Sequence, residues 1–188
     1  MKTIRAPLEE VLIIEPDMYP DDRGFFLEIY RRERYEALGI GLDFVQDNLS
    51  RSRRHTLRGL HYQFPRPQAK LVQVVQGDVF DVSVDIRRGS PDFGRWFGVR
   101  LTAKEGRQVF VPQGFAHGFC ALTDEARVLY KCSDIYLPEH DAGILWSDPD
   151  LGIDWPVDDP ILSLKDRGLP RLQDVAAERL PAYTGKTP

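Results

Sequence analysis

Between Leu71 and Tyr136 the chain is a series of short apolar runs, several of them alternating with polar residues, and this pattern narrows the available folds more than any other feature. Val79-Phe80-Asp81-Val82-Ser83-Val84-Asp85-Ile86 puts Phe80, Val82, Val84 and Ile86 on one face, a period of two that suits a strand and not a helix. Gly94 to Leu101, Gln108 to Val111 and Arg127 to Tyr136 read as strands, and Leu71 to Val75 is a short continuous apolar run. Turn signals separate them: Gln76-Gly77-Asp78, Arg88-Gly89-Ser90-Pro91, Lys104-Glu105-Gly106 and Thr123-Asp124-Glu125. Short strands at this spacing predict an all-β sandwich or barrel. Helix signals are confined to Arg31 to Leu38, stopped by Gly39, and to Asp174 to Leu180. No linker divides the chain, so residues 1–188 are expected to form a single domain, with residues from about 167 to 188 as a peripheral C-terminal segment.

Several function classes lose support. There is no GxGxxG after a strand, no GxxxxGK[ST] and no GxSxG elbow, which argues against dehydrogenase, NTPase and esterase chemistry. The opening MKTIRAPLEEVLIIEP holds a four-residue apolar run between charges, too short for a signal peptide, and no stretch approaches a membrane span. Cys120 and Cys132 lack metal-like spacing; both lie in strand-like runs, which predicts buried free thiols and fits a reducing cytoplasm. The net charge of −4 argues against nucleic acid as a partner. That average hides an acid-free window from Asn48 to Gly77, which carries Arg51, Arg53, Arg54, Arg58, Arg66 and Lys70. The window is +6, so the rest of the chain carries −10 to give the net −4.

Parity selects the polar groups that share a face. His61 pairs with Gln63, Gln46 with Asn48, and Tyr130 with Tyr136. Polar side chains pointing together into a small barrel are unfavourable unless they meet a ligand or each other. Singly, each has a plain structural reading: His61 as a satisfied core histidine, Lys70 as a strand-edge lysine, Arg51 to Arg54 and Arg58 as a solvated basic loop. Spacing adds to this. Gly106-x5-Pro112-x-Gly114-x2-His117 resembles the second motif of the cupin superfamily of double-sheet jelly rolls. His61-x-Gln63, then Lys70, six residues and Gly77 resembles the first, with Gln63 in place of a histidine and Lys70 in place of a glutamate. A lysine where a metal-binding carboxylate would stand opposes a metal cation and suits an anion or a developing negative charge.

Seven stretches, in order along nearly the whole chain, carry a more specific resemblance. They are Asp22 to Glu28, Phe44 to Ser50, Leu57 to Gln63, Gln68 to Val72, Pro112 to Phe119, Tyr130 to Tyr136 and Leu162 to Asp166. Together they resemble the dTDP-4-dehydrorhamnose 3,5-epimerases, metal-free cupin isomerases of nucleotide-sugar metabolism. The resemblance implies a cupin-type jelly roll with a few short peripheral helices and a homodimer in which the N-terminal segment serves the partner chain. It implies epimerisation at carbons 3 and 5 of dTDP-4-dehydro-6-deoxy-glucose through an enolate, with no cofactor and no metal.

By the same resemblance His61 is the base, Asp166 orients it, Lys70 faces the keto oxygen and Tyr130 is the acid on the opposite face. Tyr136 is expected to stack against the nucleotide-sugar, and Arg23, Glu28, Gln46, Asn48, Arg58, His117 and Lys165 to bind substrate. Asp141 stands where the family usually carries a substrate-contacting glutamate, one methylene longer. Three rival readings remain: an epimerase acting at only one carbon, a metal-dependent cupin enzyme, and a non-catalytic sugar-nucleotide binding protein.

Overall fold

The computed structural model describes residues 1–8 and 10–185. Its strands are β1 (Lys2–Arg5), β2 (Leu12–Glu15), β3 (Met18–Asp21), β4 (Gly24–Leu27), β5 (Gln46–Arg53), β6 (Leu57–Gln63), β7 (Lys70–Gln76), β8 (Asp78–Asp85), β9 (Trp96–Thr102), β10 (Gln108–Val111), β11 (Phe115–Ala121), β12 (Glu125–Cys132) and β13 (Asp141–Gly143). Two short helices, α1 (Arg32–Glu36) and α2 (Leu164–Arg167), and three single-turn 3₁₀ segments lie outside the sheets. A six-stranded sheet runs β1-β2-β10-β7-β12-β5 and a five-stranded sheet runs β13-β6-β11-β8-β9, while β3 and β4 form a separate hairpin. Every pairing within these sheets is antiparallel. The chain crosses between sheets at most of its turns, as it does between β7 and β8 at Gly77, and the result is the expected double-sheet jelly roll.

The core has three parts. Between the sheets lie Val72, Val74, Val79, Leu101, Val109, Phe119 and Val128. Outside the six-stranded sheet, Ile14, Leu71 and Phe110 pack on Tyr35 and Ile40 from the α1 region. Outside the five-stranded sheet, Val82, Val84 and Ile86 pack beneath Leu151, Trp155, Leu172 and Leu180 from the C-terminal part of the chain. The apolar face of the 79–86 run is therefore the outer face of its sheet. Its polar face, with Asp81, Ser83 and Asp85, is turned inward and is equally buried.

Several element boundaries differ from the sequence reading. The run from Arg127 to Tyr136 ends as strand at Cys132, and Tyr136 lies on the following loop. Asp174 to Leu180 is not a helix but parts of two 3₁₀ turns, Leu172–Asp174 and Ala177–Arg179, with extended backbone at Val175 between them. Docking Leu172 and Leu180 on the sheet outweighs the weak local helix preference of that stretch. The last residues of the expected C-terminal segment, 186–188, lie outside the described residues. Both cysteines are buried free thiols. Among the described residues, no helix is long and apolar enough to cross a membrane.

Candidate active site

Residues opposite one another in register share a face, so the strand pairings define what the barrel interior presents. In the six-stranded sheet one interior row is Gln46, Cys132 and Lys70, and the next is Asn48, Tyr130 and Val72. One step further the row is Ser50, Val128 and Val74, so the interior passes from polar to apolar along the strands. In the facing sheet His61, His117 and Ser83 form a row. Two adjoining cavities of about 370 and 280 Å³ open between these surfaces, and both are lined by His61, Lys70, Tyr130 and Lys165.

Arg58 reaches the same interior through an irregularity. It lies three positions before His61, an odd offset that would put the two on opposite faces of a regular strand. The pairing with β11 instead shifts register, with His117 opposite His61 and Phe119 opposite Arg58. This bulge at Gly59-Leu60 restores both side chains to the interior. It requires glycine: Gly59 has φ +130, and a Cβ there would meet Gly118 Cα at 2.6 Å and His117 O at 2.9 Å. Arg58 Nε donates to Ser52 Oγ at 3.0 Å, and its guanidinium faces the smaller cavity.

His61 Nε2 lies 2.6 Å from Asp166 Oδ1. Asp166 is held by α2, whose N-cap Ser163 accepts from the Asp166 backbone N–H at 3.0 Å. Burial pushes this carboxyl upward, but the bond to His61, its charge, Ser163 and the Gly59 backbone together hold it below the usual carboxylate range. On the neighbouring strand His117 Nε2 meets Asp81 Oδ2 at 2.8 Å, with both residues buried. Asp81 was not anticipated as a partner; the inward polar face of β8 was the signal for it.

Lys70 has no carboxylate partner among the described residues; its Nζ donates only to His61 O, at 3.5 Å. Burial lowers its proton affinity, partly countered by Cys132, Asp141 and Asp81, while Lys165 lowers it further. Burial raises the Tyr130 phenol above its ordinary value, with Cys132 adding to the rise and Arg58 opposing it, so the hydroxyl keeps its proton throughout the neutral range. The six cations of the acid-free window thus separate by environment. Arg51, Arg54 and Arg66 pair with Glu125, Asp124 and Asp134 on the surface and Arg53 is exposed, whereas Arg58 and Lys70 face the cleft with no carboxylate bound among the described residues.

Gln63 and Gln46 build the rim. Gln63 Nε2 donates to Arg66 O at 2.8 Å and Ile135 O at 3.2 Å, and its Oε1 accepts from Leu137 N at 2.9 Å. Gln46 Oε1 accepts from Tyr136 N at 2.7 Å, and its Nε2 donates to Asn48 Oδ1 at 2.9 Å. These bonds pin the loop that brings Tyr136 to the cleft, which strand parity alone does not achieve. They also engage both ends of the Gln63 amide. With that amide committed to backbone and an ammonium at Lys70, the donor set does not fit a cupin metal. Among the described residues no three His, Cys, Asp or Glu side chains converge to hold one.

Of the residues singled out from sequence, His61, Lys70, Tyr130, Asp166, Gln46, Asn48, Arg58, His117, Tyr136, Asp141 and Lys165 line this cleft. Arg23 and Glu28 do not. Arg23 sits at the turn of the β3–β4 hairpin, its side chain 90% exposed and paired with Asp21, and Glu28 pairs with Arg34 and Arg31. Cys132, Gln68 and Ser50 also face the cleft and were not singled out for it.

Fold and site together define a class: a cupin-type jelly roll whose cleft carries a histidine–carboxylate pair, a partly buried lysine and a protonated tyrosine, equipped for proton transfer. The comparisons agree. The profile of the dTDP-4-dehydrorhamnose 3,5-epimerase family matches residues 5–174. The chain is 53% identical over 169 residues to the dTDP-4-dehydrorhamnose 3,5-epimerase of Pseudomonas aeruginosa, covering 89% of this chain and 93% of the relative. A crystal structure of dTDP-6-deoxy-D-glucose-3,5-epimerase from Legionella pneumophila, in complex with dTDP-4-keto-L-rhamnose, superposes with a TM-score of 0.96 at 50% identity, covering 98% of this chain and 99% of the other. A 3'-monoepimerase from Streptomyces bikiniensis, in complex with dTDP-quinovose, superposes with a TM-score of 0.87 at 39% identity, covering 95% and 92% of the two chains. The chain belongs to the dTDP-4-dehydrorhamnose 3,5-epimerase family of isomerases.

Proposed function

We propose that this cleft converts dTDP-4-dehydro-6-deoxy-D-glucose to dTDP-4-dehydro-L-rhamnose by inverting carbons 3 and 5 in turn. Each carbon is alpha to the 4-keto group, so loss of its proton gives an enolate that the keto oxygen stabilises. An ionised Asp166 can only accept, which fixes the proton of neutral His61 on Nε2 and leaves Nδ1 as the base. Asp166 then stabilises the imidazolium that forms. Lys70 meets the developing enolate oxygen, and because the ground-state ketone is neutral, its charge favours the transition state. Tyr130 returns a proton from the other face. Arg58 and Lys165 serve the diphosphate, with Gln46, Asn48 and His117 on the sugar and Tyr136 against the base. The observation that carries this reading is the convergence of the His61–Asp166 pair, Lys70 and Tyr130 on one cavity.

The oligomer we propose is a homodimer in which Arg23 and Glu28 enter the partner's cleft. It is supported by their absence from the lining of their own chain's cleft and by the exposed Tyr19, Phe25 and Phe26 on the same hairpin. Two buried free thiols favour a cytoplasmic setting.

The test is to incubate the protein with the keto sugar in deuterated water and follow both carbons by NMR. Deuterium at carbons 3 and 5 with inversion at each is the expected result. Exchange at one carbon would make it a monoepimerase like the Streptomyces relative, and exchange at neither would leave a binding protein.

A further inference from the structure

Three side chains from three separate elements meet at the mouth of the cleft. Tyr136 comes from the loop after β12, Asp141 from the start of β13 and Lys165 from α2. The Tyr136 hydroxyl donates to Asp141 Oδ2 at 2.9 Å, and the same oxygen receives Lys165 Nζ in a close ion pair. One carboxylate oxygen therefore holds both an aromatic ring and an ammonium. Asp141 is the fixed member, because its backbone pairs with Gln63 in β6 and its side chain is 16% exposed. Lys165 is the movable one: its side chain is 47% exposed, and it lines both cavities of the cleft and a third of about 380 Å³ on the far side of β13.

We infer that Asp141 is a built-in counter-ion, which occupies Lys165 in the resting protein and gives it up to the phosphate of an incoming ligand. The inference rests on reading the cleft as a nucleotide-diphosphate sugar site. A free ammonium at this rim would attract any small anion. Paired with Asp141, it responds only to a ligand whose charge outcompetes a carboxylate. A neutral sugar cannot do this, and a diphosphate, with two charged groups and several acceptor oxygens, can. The pair is half-exposed, so the exchange is shallow and reversible. When Lys165 leaves, Asp141 keeps the Tyr136 hydroxyl and so keeps the ring oriented for stacking. Asp141 is then a positioning residue that sets which anions the cleft admits.

Calorimetric titration of wild type, Asp141→Asn, Lys165→Met and the double variant with inorganic pyrophosphate and with dTDP tests this. If the carboxylate competes for Lys165, Asp141→Asn binds pyrophosphate roughly threefold to fivefold more tightly than wild type. That gain disappears in the Lys165→Met background, because the effect passes through the lysine. Asp141→Ser serves as a second variant and is expected to shift affinity in the same direction. In turnover the Asn variant lowers KM, a change that a purely structural role for Asp141 does not produce. Unchanged or weaker pyrophosphate binding by both variants overturns the inference, as does a gain that persists without Lys165. Failure of wild type to bind dTDP overturns the nucleotide reading and the exchange with it.

Discussion

The 2.6 Å contact between His61 Nε2 and Asp166 Oδ1 joins residues 105 positions apart, one on the central stretch of β6 and the other on a single helical turn near the C-terminus. The carboxylate keeps the ring in one orientation and one tautomer, and it is itself held ionised by its neighbours. Asp166→Asn preserves the shape and removes the charge. It is expected to lower kcat by about 10²–10⁴-fold, by analogy with carboxylate loss behind a histidine base, with KM changing much less. Steady-state kinetics on the keto sugar measure this directly.

Lys70 couples activity to a loss of stability. Its folded proton affinity lies below that of ordinary lysine because of burial. Between that lowered value and the ordinary one of about 10.4, the unfolded chain binds more protons than the folded chain, so stability rises with pH across the window. Below the window the charged lysine is desolvated in the folded protein and the penalty remains. Lys70→Met removes the penalty, so its Tm at pH 7 should exceed that of wild type, and the difference should shrink as pH rises toward 10.4. Its kcat should fall by about 10²–10³-fold, the usual effect of losing one group that stabilises an oxyanion. A melting series over pH, set beside turnover, separates the two effects. A Tm below wild type at pH 7 would count against this account of Lys70.

Tyr130 can be separated from His61 by isotope. In Tyr130→Phe the base still removes and returns the proton on its own face. Deuterium should therefore enter the substrate from solvent while inverted product falls by about 10²-fold or more. Loss of exchange together with inversion would move Tyr130 from the acid role to substrate binding. Burial holds the phenol above its ordinary pKa, so its deprotonation should not limit the rate anywhere below about pH 10.

The bulge on β6 predicts an effect of a single methyl group. Gly59→Ala puts a Cβ at 2.6 Å from Gly118 Cα in a backbone with φ +130. Strain and overpacking together are expected to cost about 3 kcal/mol, or roughly 6–12 °C in Tm for a chain of this size. Because the bulge is what brings Arg58 and His61 to one face, a refolded variant should also show raised KM. Thermal melting and kinetics on the same preparation test both parts.

Part of this site could be read from sequence because strand parity is a rigid rule: Gln46 and Asn48 share a face as alternation requires, while the resemblance to the family, and not parity, singled out Lys70, Tyr130 and His61. What escaped the reading depends on contacts between distant segments. No local signal says that the apolar face of 79–86 is the outer one; the C-terminal part of the chain that covers it decides this. The shift at Gly59 follows from Gly118 on a neighbouring strand. Tyr136 is steered by the amides of Gln46 and Gln63 and not by the strand that precedes it. Asp174 to Leu180 carries a helical pattern, yet its apolar residues serve as separate anchors on the sheet.

Arg23 supplies the sharpest test of the proposed dimer, because its side chain is 90% exposed and lies outside the cleft of its own chain. If the hairpin serves the partner, Arg23→Ala and His61→Asn each impair every cleft of their own homodimers. Mixing the two after dissociation forms hybrids with one intact cleft, made from the His61 of one chain and the Arg23 of the other. Random reassociation makes half of the dimers hybrid, so activity should recover to roughly a quarter of wild type, as two-fold symmetry requires. A monomer, or a hairpin acting only on its own chain, gives no recovery beyond the mean of the two variants. The recovery therefore measures whether the exposed arginine completes a neighbouring site.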